Sequence, residues 1–240
     1  MSMLSRFASL GGINDPYWAN VSYMLVGNGA NGTNTNIKDS SSNNFTTNNF
    51  GSTVISTAQS KYGSGSVYFN GAGNYLTVPA SSKFNLGTSN FTIEMWVNTP
   101  GTYSNFRVSP IGQTDPINGR WAVRPRGLDG TFGIVFSPDG SAYYDVGSGL
   151  TLPANTWVYV VVERVSGVFK FYVNGTKGTD FTAVPSMAIG SGSSPLYIGR
   201  AVWDGNIDWP GYIYDLRFTL GVARYSGSTM TVPTEPLPIG

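Results

Sequence analysis

The sequence contains no cysteine and no histidine among its 240 residues. Without cysteine, neither a disulfide framework nor a thiolate metal site is available. Without histidine, the chain lacks both the commonest general base and the commonest transition-metal ligand. Any catalysis would therefore have to depend on carboxylates, tyrosine, lysine or arginine.

Charge and long apolar runs are also scarce. Charged residues make up 11% of the chain and the net charge is +1, whereas an ordinary domain has roughly 25% charged residues. No basic stripe is present, so the electrostatic footprint of a nucleic-acid-binding protein is missing. No stretch approaches the roughly 18 apolar residues of a membrane span, and the N-terminus lacks the apolar region of a signal peptide. We therefore expect no nucleic-acid partner, no membrane span and no signal peptide.

What the chain does contain is a series of short β-forming runs bounded by turn residues. Residues 91–97 alternate between apolar and other side chains, which is typical of a strand with one face toward the core. Residues 157–162 are apolar on both faces, which indicates a strand covered on both sides. Asn174 and Gly175 mark a two-residue hairpin, and the Pro-rich residues 233–238 are excluded from a central strand. The sequence predicts one all-β domain with two antiparallel sheets.

The N-terminal residues 1–16 are predicted to form an arm. Gly11-Gly12 and Asp15-Pro16 are turn or stop signals that separate it from the rest. Exposed apolar side chains on a free arm would be a liability, so we expect the arm to dock on a partner chain. The alternative is packing on the edge of its own domain. The docking side chains recur at every third position and are Leu4, Phe7, Leu10 and Ile13.

Four segments together resemble the laminin G-like, concanavalin A-like jelly roll. They are residues 66–79 (SVYFNGAGNYLTVP), 91–97 (FTIEMWV), 157–164 with 171–175 (WVYVVVER and FYVNG), and 196–200 with 211–218 (LYIGR and GYIYDLRF). They occur in the order found in that family. The resemblance implies an antiparallel two-sheet jelly roll over residues 17–232, with residues 233–240 as a Pro-rich tail.

A narrower resemblance concerns the two ends of the chain. Residues 10–18 (LGGINDPYW), 39–46 (DSSSNNFT) and 221–225 (GVARY) are similar to laminin G-like proteins of tailed bacteriophages, cyanophages among them. This resemblance implies a structural module on the virion surface, as a capsid decoration or a tail or fibre component. Its partners would be a capsid or tail protein, in a homo-oligomeric or multi-copy assembly.

The resemblance also implies a calcium site near the first motif. Family members often hold Ca²⁺ near a Phe-Asp-Gly-x-Gly-Asp-Tyr turn, with help from a strand near the C-terminus. Here Asn70 and Asn74 replace the two aspartates of that turn, while Asp39 and Asp215 remain as carboxylate donors. Because carboxylates give such sites their affinity, we favour the alternative in which both asparagines cap tight turns.

A glycoside hydrolase is a less favoured alternative. That chemistry needs two carboxylates across the scissile bond, and glucanases of this superfamily carry two glutamates three to five residues apart on one strand. Glu94 and Glu163 each stand alone, and Glu235 lies in the Pro-rich tail. We therefore expect Glu94 to be a solvent-facing or structural residue and the protein not to be an enzyme.

The best sequence candidate for a ligand site is residues 203–209 (WDGNIDW). Aromatic rings stack on the apolar faces of sugars, and Asn and Asp side chains bond to sugar hydroxyls. The commoner role of such tryptophans is a buried plug or a subunit contact, and that alternative is favoured. A host glycan as partner, and with it a carbohydrate-binding adhesin or lectin-like function, would rest on Trp203, Asp204, Asn206, Asp208 and Trp209.

Overall fold

The computed structural model describes residues 14–100, 108–114, 120–125, 130–139, 141–182, 187–189, 193–202, 206–225 and 227–240. Within these ranges the chain is all-β, as predicted, and the helical segments are two short 3-10 turns, Trp18–Asn20 and Ser82–Phe84. Across the same residues, no helix is both long and apolar enough to cross a membrane.

The described residues contain eighteen strands. In chain order they are β1 (Val21–Leu25), β2 (Asn48–Phe50), β3 (Val54–Ser56), β4 (Ser66–Asn70), β5 (Tyr75–Val78), β6 (Phe91–Asn98), β7 (Ile111–Thr114), β8 (Arg120–Pro125), β9 (Thr131–Ser137), β10 (Tyr144–Thr151), β11 (Trp157–Val165), β12 (Val168–Val173), β13 (Thr176–Lys177), β14 (Phe181–Thr182), β15 (Leu196–Ile198), β16 (Arg200–Ala201), β17 (Ile207–Asp208) and β18 (Pro210–Leu220).

Two large antiparallel sheets form the predicted jelly-roll sandwich. The nine-stranded sheet has the order β13-β12-β11-β6-β18-β4-β3, with β1 also paired to β18 and β14 to β12. The seven-stranded sheet has the order β10-β9-β8-β7-β15-β5-β2, and β16 pairs with β17 separately. Strands from distant parts of the chain are neighbours in both sheets. The last strand, β18, is therefore held between β6 and β4 in the middle of the larger sheet.

The alternating pattern of β6 places its apolar side chains between the sheets, as predicted. Phe91, Ile93, Met95 and Val97 are all buried in the main hydrophobic core. Strand β11 lies between β12 and β6 and is buried on both faces over residues 158–164, which confirms its predicted central position. Burial of both faces follows because one side meets the core and the other meets a second apolar layer.

The predicted hairpin after β12 is also present. Asn174 and Gly175 join β12 to β13, and both have positive φ values, +47° and +80°. A two-residue turn of this kind requires left-handed conformations at both positions, which asparagine and glycine tolerate best. Local turn chemistry therefore determines this connection.

The second apolar layer lies on the outer face of the nine-stranded sheet. Trp96, Tyr159 and Tyr214 are buried there together with Met230 and Leu237 of the C-terminal segment. The Tyr62 hydroxyl also donates to the carbonyl oxygen of Pro233 over 2.6 Å. The Pro-rich segment forms no strand within residues 227–240, in line with the prediction. It packs on the sheet because this removes the aromatic side chains of the outer face from water.

The predicted boundary of the N-terminal arm falls beside a buried anchor. The docking residues Leu4, Phe7, Leu10 and Ile13 lie outside the described residues. Asp15 is buried and forms ion pairs with Arg217 and Arg224, at 2.9 and 2.8 Å. The chain is thus attached to the sandwich two residues before the predicted start at residue 17.

Candidate functional site

The turn predicted as part of a calcium site and the segment predicted as a ligand site meet at one end of the sandwich. Asn70, at the end of β4, is the cross-strand partner of Pro210 at the start of β18. The backbone N–H of Gly73 donates to Oδ2 of Asp208 over 2.6 Å. The turn of residues 70–74 and the segment of residues 206–212 therefore form one structural unit, here called the rim.

Asp208 of the rim also binds Arg200, its cross-strand partner on β16. The guanidinium donates from Nε to Oδ1 over 2.6 Å and from Nη2 to Oδ2 over 3.0 Å. Burial alone would lower the pKa of Arg200, but the bond to Asp208 raises it above its usual value. The same guanidinium lies 3.7 Å from the centre of the Tyr75 ring, which also stacks in parallel on the Phe50 ring at 4.5 Å. Both charges are thus engaged within the protein.

The predicted ligand residues 203–209 do not act as one exposed cluster. Trp203 and Asp204 lie outside the described residues. Trp209 is fully buried in the main core, and its backbone N–H donates to the carbonyl oxygen of Gly199 over 2.9 Å. Its indole is a buried plug, which is one of the roles favoured from the sequence. It presents no face to a ligand. Asn206 is exposed with a positive φ of +60°.

Beside the rim lies a groove of about 330 Å³ on the outer face of the nine-stranded sheet. Tyr68 of β4 and Tyr212 of β18 are cross-strand partners, with ring centres 4.9 Å apart and a tilt of 37°. Both point outward because Phe69 and Ile213 point into the core. The two rings are half-buried and form an aromatic platform. The groove is lined by Gln59, Tyr68, Phe69, Asn70, Asn98, Thr99, Pro100, Asn155, Pro210, Gly211 and Tyr212.

Four side-chain carboxamides surround the platform. Nδ2 of Asn98 donates to Oε1 of Gln59 over 3.3 Å. Oδ1 of Asn70 accepts from the backbone N–H of Ala72 over 2.8 Å, which caps the rim turn as predicted. Asn155 is exposed and has a positive φ of +53°. Aromatic faces beside groups that both donate and accept hydrogen bonds form the combination that a polyhydroxylated ligand requires.

This groove was not predicted from the sequence. Alternation along residues 66–70 marks Tyr68 as outward-facing, since Val67 and Phe69 are apolar neighbours on the other face. The partner Tyr212 lies more than a hundred residues further along the chain. Its position opposite Tyr68 depends on the register between β4 and β18, which no local pattern reveals.

The structure does not gather the four predicted calcium donors. Asn70 and Asn74 belong to the rim, and Oδ1 of Asn74 accepts from the backbone N–H of Ser52 over 2.8 Å. Asp215 lies five residues along β18 from the partner of Asn70, which is about 16 Å at the rise of a strand. Among the described residues, no group of three or more Asp and Glu side chains could hold a metal ion.

Asp39 organises its own loop. Its Oδ1 accepts from the backbone N–H groups of Met24 and Ser41, at 3.1 and 2.9 Å. Its Oδ2 accepts from the Ser41 hydroxyl at 2.8 Å and from the backbone N–H of Phe45 at 2.9 Å. The carboxylate is buried and already satisfied by four donors, so the four predicted residues do not fit one shared calcium site.

Asp215 is the most unusual carboxyl among the described residues. It is buried, its φ is +50°, and Oδ2 accepts from the backbone N–H of Leu237 over 2.8 Å. Oδ1 is buried without a hydrogen-bond partner. Burial raises the pKa of Asp215 to about 7. The side chain lines a cavity of about 320 Å³ together with Lys38 and Leu237.

Glu94 is the centre of a buried charge network. Oε1 accepts from Nε of Arg217 over 2.7 Å, and Oε2 accepts from the hydroxyls of Tyr159, over 2.5 Å, and Tyr225. Arg224 lies 3.6 Å away. Burial would raise the pKa of Glu94, but the two guanidinium groups keep it below its usual value. Of the two predicted roles for Glu94, solvent-facing or structural, the structure shows the structural one.

Glu163 is likewise buried on β11. Its Oε2 accepts from the backbone N–H of Tyr225 over 3.1 Å, and its Oε1 from the hydroxyl of Tyr172 over 3.4 Å. Both glutamates of the central strands are therefore used to join the C-terminal segment to the sheet.

The fold agrees with what comparison with known proteins finds. Residues 69–221 match a laminin G family model described as the concanavalin A-like lectin/glucanases superfamily. The match covers more than half of the chain, and the chain belongs to this family. Among curated proteins, no sequence matches the chain.

Several solved structures share the fold. Domain 4 of AbnA, a GH43 extracellular arabinanase from Geobacillus stearothermophilus, in complex with arabinotriose, is similar with a TM-score of 0.65 and 18% identity over 84% of this chain and 93% of that domain. The binding domain of Paraclostridial Mosquitocidal Protein 1 has a TM-score of 0.64 and 16% identity over 87% of this chain. A botulinum neurotoxin type C structure, concerned with two ganglioside molecules, has a TM-score of 0.62 and 12% identity over 85% of this chain. The chain spans about half the length of these two toxin chains, 50% and 48%.

Proposed function

We propose that this chain is a non-catalytic carbohydrate-binding domain carried on a virion surface. The observation that carries the binding role is the groove beside the rim, where the Tyr68 and Tyr212 rings are surrounded by four carboxamides. Similar domains support it, since one is known in complex with arabinotriose and another in connection with gangliosides.

The positions of the glutamates support a non-catalytic role. Glycoside hydrolysis needs one carboxyl that delivers a proton and a second one across the scissile bond. Glu94 and Glu163 are fully buried. Glu94 is held by Arg217 and Glu163 by backbone and tyrosine donors. Neither carboxyl is presented to the groove, which is lined by amides and aromatic rings.

The binding role is tested by glycan-array and calorimetric titrations of the wild-type chain and a Tyr212→Ala variant. We expect Tyr212→Ala to weaken glycan binding by more than about tenfold, because it removes half of the stacking platform. Tyr143→Ala is the matched control, since Tyr143 is exposed and belongs to the loop between β9 and β10. Equal losses in both variants, or a glycan that binds Tyr212→Ala as well as wild type, would refute the assignment.

The virion role rests on the phage-like motifs at the chain ends and on the apolar arm. The proposed partners are a capsid or tail protein, contacted through Leu4, Phe7, Leu10 and Ile13. The test deletes residues 2–14, which leaves the Asp15 anchor in place. We expect the truncated chain to keep its stability and to lose its incorporation into particles. A truncated chain that still incorporates would show that the arm is not the attachment segment.

A further inference from the structure

We infer that the groove beside the rim selects neutral glycans and rejects acidic ones. This inference rests on the proposed carbohydrate-binding function and names its ligand class. The groove has no lysine, arginine, aspartate or glutamate among the described residues that line it. Its polar side chains are four carboxamides, two tyrosine hydroxyls and one threonine.

An acidic sugar would lose hydration in this groove without gaining a cation. Removing a carboxylate from water costs far more than removing a hydroxyl, unless a paired charge compensates. Proteins that bind carboxylates or phosphates tightly therefore supply arginine or lysine in direct contact. No such group lines the described part of the groove.

Two basic side chains of the described residues in this region, Arg200 and Lys61, are engaged elsewhere. Arg200 makes two hydrogen bonds to Asp208 and lies over the Tyr75 ring. Lys61 lies 3.8 Å from the centre of the Trp96 ring, over the aromatic layer next to the groove. Recruiting Arg200 for a ligand would leave Asp208, whose side chain is only 7% exposed, without its partner. Breaking a buried pair in this way is strongly unfavourable.

The carboxamides instead match the hydroxyls of a neutral sugar. A hydroxyl both donates and accepts, and so does each carboxamide. The bond from Asn98 to Gln59 uses one donor and one acceptor. The acceptor Oδ1 of Asn98 and the donor Nε2 of Gln59 are not used in this bond, and they lie at neighbouring positions for a sugar hydroxyl. The volume of about 330 Å³ is at the small end of the roughly 300–1,000 Å³ range of ligand sites, which fits a short saccharide unit.

The test compares oligosaccharides that share one core and differ by a terminal sialic acid or uronic acid. We expect the neutral core to bind, and each added carboxylate to weaken binding by about tenfold or more. Because no ion pair contributes, the affinity for the neutral core should change less than about twofold between 50 mM and 500 mM NaCl. Tyr212→Ala should weaken this binding by more than about tenfold, and Tyr143→Ala should leave it unchanged.

Substitutions at Gln59 test whether the charge of the groove determines which glycans bind. This side chain is exposed at the groove wall, so charge can be introduced there without disturbing the core. Gln59→Lys should narrow or invert the preference for the neutral core, and Gln59→Glu should widen it. Circular dichroism of each variant is the control that checks whether the fold is retained.

The outcomes separate the two proposals. Salt-sensitive binding of sialylated glycans in preference to the neutral core overturns the inference and leaves the carbohydrate-binding function standing. Neutral binding that survives Tyr212→Ala overturns the assignment to this groove. Absence of binding to every neutral and acidic glycan overturns the proposed function itself.

Discussion

Replacing Glu94 by glutamine removes the central anion of the buried network and leaves its cations in place. In the wild-type protein, the carboxylates of Glu94 and Asp15 face the guanidinium groups of Arg217 and Arg224. The variant has two cations and one anion in a space that excludes water. A glutamine also offers only one acceptor oxygen to the three donors that Glu94 serves, which are Arg217 and the hydroxyls of Tyr159 and Tyr225.

The expected loss is about 3–5 kcal/mol in the free energy of unfolding, the usual result of removing one partner of a buried ion pair. Glu94 has no exposed surface, and the Arg217 side chain is 4% exposed, so solvent cannot screen the uncompensated charge. For a domain of this size, each kcal/mol corresponds to about 2–4 °C in Tm. The variant should therefore melt about 6–20 °C below the wild type.

The assay is urea unfolding at pH 7, followed by tryptophan fluorescence. Asp180→Asn is the matched control, because it makes the same acid-to-amide change in the surface pair Lys177–Asp180, where a loss below about 1 kcal/mol is expected. Because the pKa of Glu94 is lowered in the folded state, its contribution is present at neutral pH and is lost as the pH falls through that lowered pKa. A Glu94→Gln variant within about 1 kcal/mol of the wild type would refute this account of the network.

Three further predictions follow from single residues. Because the folded-state pKa of Asp215 is raised to about 7, the folded chain binds more protons than the unfolded chain between about pH 4 and pH 7. Stability should therefore fall as the pH rises, by up to about 1.4 kcal/mol per pH unit. The chain has no histidine to mask this slope, and urea midpoints at several pH values should show it flattened in Asp215→Asn. In urea unfolding, Gly211→Ala should lower the free energy of unfolding by at least about 1 kcal/mol more than Gly32→Ala. Both glycines have positive φ values. A Cβ at Gly211 would overlap a backbone oxygen, whereas a Cβ at Gly32 would meet open space. Exchanging Ca²⁺ for a chelator should shift Tm by less than about 2 °C, because Asp39 is already saturated by protein donors; a larger shift would reveal a metal site.

Much of the fold was predictable because its signals are local. The alternation of β6, the apolar run of β11 and the hairpin at Asn174 and Gly175 each depend on neighbours in sequence. The cover over the outer face was not predictable in this way. Burial of Trp96 depends on the C-terminal segment, which lies more than a hundred residues away.

The candidate site was harder to predict for the same reason. Asp208 carries the right chemistry for a ligand, but its bonds to Arg200 and Gly73 use the carboxylate for structure. Trp209 has an aromatic ring suited to a sugar, but this ring is buried in the main hydrophobic core. The Tyr68 and Tyr212 platform exists only in the paired strands, so its members look unrelated along the chain.

The anchor at Asp15 also determines how the domain would carry a mechanical load. A pull on the chain before Asp15 would reach β1 along the covalent chain and β18 through the Asp15–Arg217 ion pair. That strand is paired along its length with β1, β4 and β6, so the force would be shared among several ladders of hydrogen bonds. Tyr212 lies five residues from Arg217 on the same strand, about 16 Å away at the rise of a strand. Tension at one end of β18 would leave the groove at its other end unobstructed.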